Sequence, residues 1–235
     1  MAKHTCLEQI VSLGLFGGLR QSEGGFLSFE RTPLLLSKNE ASTARTGRAV
    51  WLDEPAGWFA TEESDINALA EWMPEYVAPN FLLASNTQSC WKCGCSTPVF
   101  SVASKGDYLA RLPLCEEDDA TTEGVVWTMA ESGTFIGNLT LVNGSVRRSL
   151  ARHCPNYRVD FSKTAESNYF INHCRSCDAK LGDFYMHNEP GGAFFPTTEV
   201  QATKIQLRKV EVPLLSQGSA SITTPDLLPF CSVID

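Results

Sequence analysis

Long apolar runs, basic segments and complete catalytic signatures are all missing from this chain of 235 residues, and each absence removes a class of function. No stretch approaches the roughly 18 continuous apolar residues of a membrane-spanning helix, so no membrane partner is expected. Met1-Ala2-Lys3-His4 lacks the apolar core of a secretory signal. Cysteines number nine, an odd count, and a reducing cytoplasm is the expected compartment. The sequons at Asn138 and Asn143 then read as chance matches.

Positive charge is the second deficit. The chain carries 19 Lys and Arg against 27 Asp and Glu, a net charge of -8. Residues 1–89 contribute -5, residues 90–197 contribute -2 and residues 198–235 contribute -1, so no linear segment is basic. Phosphate backbones are bound by clustered Lys and Arg, which makes nucleic acid an unfavoured partner. The acidic balance suits a cationic protein partner or plain solubility.

Catalytic patterns are equally thin. Gly191-Gly192 has no Lys-Ser/Thr to complete a phosphate loop. His187-x-Glu189 beside Cys174-x-x-Cys177 has the residue types of a zinc deaminase, but in reverse order and with no Pro before the cysteines. On an expected strand over 183–187, continued to Glu189, the alternation puts Asp183, His187 and Glu189 on one face. That trio is the candidate acid/base set of a hydrolase-type enzyme; a hydrogen-bonded support for a turn is the competing reading.

What the chain does have is two Cys-x-x-Cys pairs, Cys90-Trp91-Lys92-Cys93 and Cys174-Arg175-Ser176-Cys177. Two intervening residues let one tight turn aim both sulfurs at one point, and two such knuckles supply the four thiolates of a closed tetrahedral zinc site. Soft thiolates select zinc or iron–sulfur over magnesium or calcium. Gly94 and Asp178 follow the two knuckles, and both residue types tolerate the left-handed backbone that such turns require. The metal ligands are therefore expected to be Cys90, Cys93, Cys174 and Cys177, with Zn2+ in a structural role. Two redox pairs, a disulfide staple or an iron–sulfur centre are the alternatives. Cys95 and His173 stand beside the set as competing ligands, and Cys6, Cys115, Cys154 and Cys231 read as ordinary buried thiols.

The knuckles are separated by residues 94–173, far more than the roughly 15–20 of a simple ribbon, so a long insertion is expected between them. The chain is long enough for one large or two small domains with a core of their own, and zinc would fix one region of the fold. The expected class is α+β, mixed helix and antiparallel sheet, with a zinc-ribbon-like module. Three regions are expected: an N-terminal α+β region over 1–80, the zinc-ribbon-like domain over 81–197, and a C-terminal strand and tail over 198–235. Helical spacing marks 5–15 and 66–73, the latter capped by Ser64 or Asp65. Residues 37–47 read as a loop, Glu116 to Asp119 as a solvated charge run, and 216–225 as a mobile polar stretch. Residues 125–128 and 135–142 read as a strand pair around Gly133, 145–151 as a helix, and 157–161 and 169–172 as strands.

Several separated blocks carry a resemblance. Cys90-Trp91-Lys92-Cys93-Gly94 with Thr97-Pro98-Val99, then Tyr157 to Ala165, Asn172-His173-Cys174, Gly182-Asp183-Phe184, His187 and Glu189-Pro190-Gly191-Gly192-Ala193-Phe194-Phe195-Pro196, resemble a bacterial zinc-ribbon-like family with paired CxxC motifs over about 90–196. The resemblance implies a fold module and a zinc, and no reaction. The chain departs from it at Cys177-Asp178, where that family has Cys-Gly.

The functional expectation is a non-enzymatic, zinc-stabilised module that binds another protein, in one version an immunity or inhibitor protein that neutralises a cationic toxin or nuclease. A nucleic-acid-binding zinc ribbon and the Asp183/His187/Glu189 enzyme are the alternatives.

Overall fold

In the computed structural model, which describes residues 2–113, 125–220 and 225–234, short antiparallel strands dominate and the helices are few and short. The class is α+β. Cys115, the Glu116 to Asp119 run and the centre of the 216–225 stretch lie outside the described residues. The chain folds as two compact units that interleave along the sequence. Unit 1 is 1–79, 107–130 and 215–217; unit 2 is 80–106, 131–214 and 218–235.

Unit 1 opens with the helix Ala2–Ser12, which ends ahead of Gly14 in the left-handed region (φ +67°). Its larger sheet runs in the order Leu19–Gln21, Leu27–Phe29, Val126–Ala130, Tyr108–Arg111, Tyr76–Ala78, Leu214–Ser216. A smaller sheet orders Arg31–Pro33, Ala56–Thr61 and Val50–Asp53. Ile10, Phe16, Leu69, Met73 and Trp127 fill the core. Asp65 caps the short helix Ile66–Leu69 by accepting from the Ala68 N–H at 3.1 Å. The expected loop at 37–47 is instead the turn Lys38–Glu40 and the helix Ala41–Thr46. The Glu40 carboxylate accepts from the Ser37 N–H at 2.7 Å, and Ala44 is buried, which gives this polar stretch a cap and an anchor.

Unit 2 contains strands β1 Phe81–Ser89, β2 Ser96–Ser104 and β3 Thr134–Gly137, helix α1 Gly144–His153, strands β4 Tyr157–Ser162, β5 Ser167–His173, β6 Lys180–Leu181, β7 Gln206–Val210, β8 Ser219–Ala220 and β9 Ser232–Ile234. Six of them form a sheet in the order β8-β3-β2-β1-β7-β9, with only the β7–β9 pair parallel. The other three form the sheet β4-β5-β6, antiparallel throughout. Phe135, Phe194, Met186, Ile205 and Leu207 pack beside the cysteines in its core.

Two further expectations fail in the strands. Val126–Ala130 and Thr134–Gly137 do not pair: the first joins the larger sheet of unit 1 and the second joins β2, because the chain changes unit between them instead of turning back. The expected strand at 183–187 is a π-helical turn over Phe184–Asn188. The Asp183 carbonyl accepts from the N–H groups of Met186 (3.0 Å) and His187 (2.8 Å), which curls the chain and destroys the two-residue alternation.

Candidate metal centre

Each Cys-x-x-Cys pair is the turn of a β-hairpin. Ser89 pairs with Ser96 across β1 and β2, leaving 90–95 as the loop; His173 pairs with Lys180 across β5 and β6, leaving 174–179. The two loops are built alike. The Cys90 N–H donates to the Cys95 carbonyl and the Gly94 N–H to the Cys90 carbonyl, both at 2.9 Å. In the second loop the Cys174 N–H donates to Ala179 and the Asp178 N–H to Cys174, again at 2.9 Å. Gly94 (φ +70°) and Asp178 (φ +58°) both take the left-handed backbone that closes the loop. Asp178 is held there by Arg158, whose guanidinium donates to both carboxylate oxygens at 2.9 and 2.8 Å. The Asp178 carboxyl is correspondingly below its ordinary range, chiefly through the Arg158 hydrogen bond.

Knuckles and hairpins are cross-linked by polar contacts that the spacing of the cysteines does not announce. The Arg175 N–H donates to the Thr97 hydroxyl at 2.9 Å, tying the second loop to β2. The Trp91 indole N–H donates to the Lys180 carbonyl at 2.9 Å, tying the first loop to β6. Asn172, only 1 % exposed, accepts from the Phe100 N–H at 2.8 Å and donates to the Phe100 carbonyl at 2.9 Å. The signal for Asn172 is visible in the sequence, as an amide ending the apolar stretch Tyr169-Phe170-Ile171. Thr97 carries no comparable signal.

The folding brings Cys90, Cys93, Cys174 and Cys177 together, with all four sulfurs within 4.8 Å of one another. Cys90 Sγ lies 3.6 Å from Cys177 Sγ, and Cys93 Sγ lies 3.6 Å from Cys174 Sγ. All four are free thiols, far beyond the roughly 2.05 Å of a disulfide. Four sulfurs about 2.3 Å from a central tetrahedral ion would stand about 3.8 Å apart, so the set could hold a metal ion. Cys90 and Cys174 are buried while Cys93 is exposed, which puts the centre at the rim of the unit.

Second-sphere donors are already in place. The Lys92 N–H points to Cys90 Sγ and the Ser176 N–H to Cys174 Sγ, each at 3.4 Å. The backbone N–H groups of Cys177 and Ser176 hold the Cys174 thiol down to about 6. Cys93 behaves oppositely: the Cys95 N–H favours its thiolate, but the crowded sulfur of Cys177 and burial leave the thiol pushed up to about 12. Without a cation the four sulfurs cannot all ionise side by side; a bound cation is what lets them.

The competing ligands stay outside. Cys95 turns its Sγ to the Ser96 carbonyl at 3.3 Å. His173 presents Nδ1 to the Ile171 carbonyl at 2.9 Å and Nε2 to Asp160 at 3.0 Å, which engages both ring nitrogens. Asp160 also pairs with Lys180 at 2.9 Å, and these two partners, His173 first, lower its carboxyl well below the usual range.

Asp183, His187 and Glu189 do not share a strand face, because the chain turns over Phe184–Asn188. Asp183 and His187 are buried, at 1 % and 3 % exposure, and Glu189 is exposed. Asp183 accepts from the Asn138 N–H at 2.7 Å, and burial pushes its carboxyl up to about 7. His187 stacks on Phe194 with ring centroids 5.2 Å apart, and burial drops its imidazolium to about 3. It also fills the space where Gly137 has no side chain; a Cβ there would meet the ring at 3.0 Å. Among the described residues no helix is long and apolar enough to cross a membrane. No protein-family model, no curated protein and no solved structure matches the chain, so the likeness read over 90–196 rests on those residues alone.

Proposed function

We propose that the chain is a non-enzymatic binding module stapled by one structural zinc ion on Cys90, Cys93, Cys174 and Cys177. The observation that carries this reading is the closed set of four sulfurs. With four protein thiolates the coordination sphere is complete, and no position remains for an activated water. Zinc is the ion that best combines thiolate preference with this geometry.

The acidic surface supplies the other half of the reading. Unit 1 carries 17 acidic and 7 basic side chains, a net charge of -10. Such a field steers cationic proteins and repels acidic ones, which suits the neutralisation of a basic toxin or nuclease.

Two measurements test these halves separately. Cobalt substitution of the full chain should give the spectrum of a tetrahedral tetrathiolate site that added azide leaves unchanged; a spectrum that responds to azide would mean an open position and would end the structural reading. Calorimetric titration with a basic ribonuclease as probe should show binding that weakens as salt rises. No binding at low salt would contradict the cationic-partner reading.

A further inference from the structure

Counted by unit instead of by linear segment, the charge of the chain separates. Unit 2 carries 12 basic and 10 acidic side chains, a net charge of +2, against -10 for unit 1. The metal-bearing unit is thus the basic part of the molecule.

Five exposed cations of unit 2 lie on helix α1 and in the two knuckle loops. Helix α1 has no acidic residue, and Arg147, Arg148 and Arg152 are exposed along it. After its last turn the chain passes through Asn156, whose carbonyl accepts from the His173 N–H at 2.7 Å. His173 leads directly into the loop that carries Arg175, and Lys92 stands in the other loop, both exposed. Among the described residues none of these five cations lies within 4.0 Å of a carboxylate. Arg158 and Lys180, by contrast, are taken up by Asp178 and Asp160.

Two exposed rings belong to the same unit, and Trp91 shares its loop with Lys92. Trp91 is 75 % exposed although it sits in the middle of a rigid loop and its N–H is already engaged by Lys180. Its edge is fixed and its faces are free. Tyr185 is 68 % exposed and is braced edge-on by Phe184, centroids 5.6 Å apart at 89°. Trp91 and Tyr185 line one groove of about 510 Å³, with Leu181 and Met186 in its wall and Gln88 and Ser89 as polar groups. No charged side chain lines it. The volume lies within the range of a small-ligand site. Exposed aromatic rings held rigid next to unpaired guanidinium and ammonium groups are what a single strand requires: bases stack on the rings and phosphates meet the cations.

We infer that unit 2 binds single-stranded nucleic acid, with a base in the Trp91/Tyr185 groove and the backbone along Lys92, Arg175 and the α1 arginines. An acidic peptide would satisfy the cations but leave the two rings unused. This inference shares only the metal with the proposal for unit 1 and does not depend on the cationic partner.

The test is fluorescence anisotropy with the zinc-loaded full chain and labelled single strands of about 20 nucleotides, one DNA and one RNA of the same sequence. Both should bind, and affinity should fall steeply between about 50 and 200 mM salt. Trp91→Ala should weaken binding on the order of ten- to a hundredfold while the variant keeps its metal. The triple variant Arg148→Glu, Arg152→Glu, Arg175→Glu, which leaves the groove intact, should abolish it. A poly-glutamate competitor should not displace the strand. The idea is overturned by an absence of binding at low salt, by affinity indifferent to both variants, or by displacement with poly-glutamate, which would make the site one for acidic peptides. A preference for one strand over the other would show whether the 2′-hydroxyl is read, within the same assignment.

Discussion

Gly94 and Asp178 occupy equivalent places in the two knuckles and meet the same backbone demand with different means. A Cβ at Gly94 would touch nothing within 4 Å, so its substitution costs backbone strain alone. Gly94→Ala should lower stability by about 1–2 kcal/mol with the metal retained. Asp178 bears that strain and recovers part of it from an exposed ion pair with Arg158, a contact generally worth about 0–1 kcal/mol. Asp178→Gly should therefore leave the melting temperature equal or higher. A lower one would mean that the Arg158 contact outweighs the strain. Both positions are legible in the sequence itself, because the residue after a Cys-x-x-Cys turn has to accept a positive φ.

At the same scale, Asp183 and His187 give the stability of unit 2 two opposed slopes with pH. The Asp183 carboxyl stands at about 7 when folded and about 3.9 when unfolded, so folding favours its protonated form. That contribution is complete below about 3.9 and is lost as pH rises to 7, on the order of 4 kcal/mol in all. His187, lowered to about 3 by burial, acts oppositely: its contribution is present above about 6.5 and is lost as pH falls. Asp183→Asn should keep the acceptor for the Asn138 N–H and flatten the decline between about pH 4 and 7 in denaturant titrations. An unchanged decline would place its origin elsewhere. The burial of these two groups was not legible. Period-two spacing of Asp183, His187 and Glu189 suggested a strand, whereas Gly192 lets the chain pack so closely that a Cβ would stand 2.4 Å from the Tyr185 carbonyl, and a π-helical turn results.

At the scale of elements, the metal loops depend on their hairpins. Strands β1, β2, β5 and β6 end at the cysteines, and Thr97, Asn172 and the Trp91 indole fasten one hairpin to the other. Asn172→Leu would leave the N–H and carbonyl of the half-buried Phe100 without their side-chain partner. It should cost on the order of 2–4 kcal/mol and weaken metal retention against a chelator. If the variant holds its metal as firmly as the parent, the loops are positioned by the metal and not by the hairpins. The strands over 157–161 and 169–172 and the helix over 145–151 were readable from their apolar spacing, since each is local. The pairing of β1 with β7 and the assignment of Val126–Ala130 to unit 1 were not, since contacts between distant segments leave no periodic trace.

At the scale of the whole molecule, interleaving of the two units decides what the charge means. Linear counting showed no basic segment; counting by unit shows one strongly acidic body and one mildly basic body that carries the metal loops. Unit 1 contains none of the four clustered cysteines. A chelator should therefore lower only one of two thermal transitions in the full chain, and a uniform shift of the entire unfolding curve would show that both units rely on the ion.

The central claim, one closed tetrathiolate zinc per chain, is tested most directly by native mass spectrometry of the full chain beside Cys174→Ser. The account predicts a mass increment of one zinc ion in the parent chain, and no retained zinc in the variant. A parent chain that carries no metal, or that is lighter by the hydrogens lost to a disulfide, would contradict it.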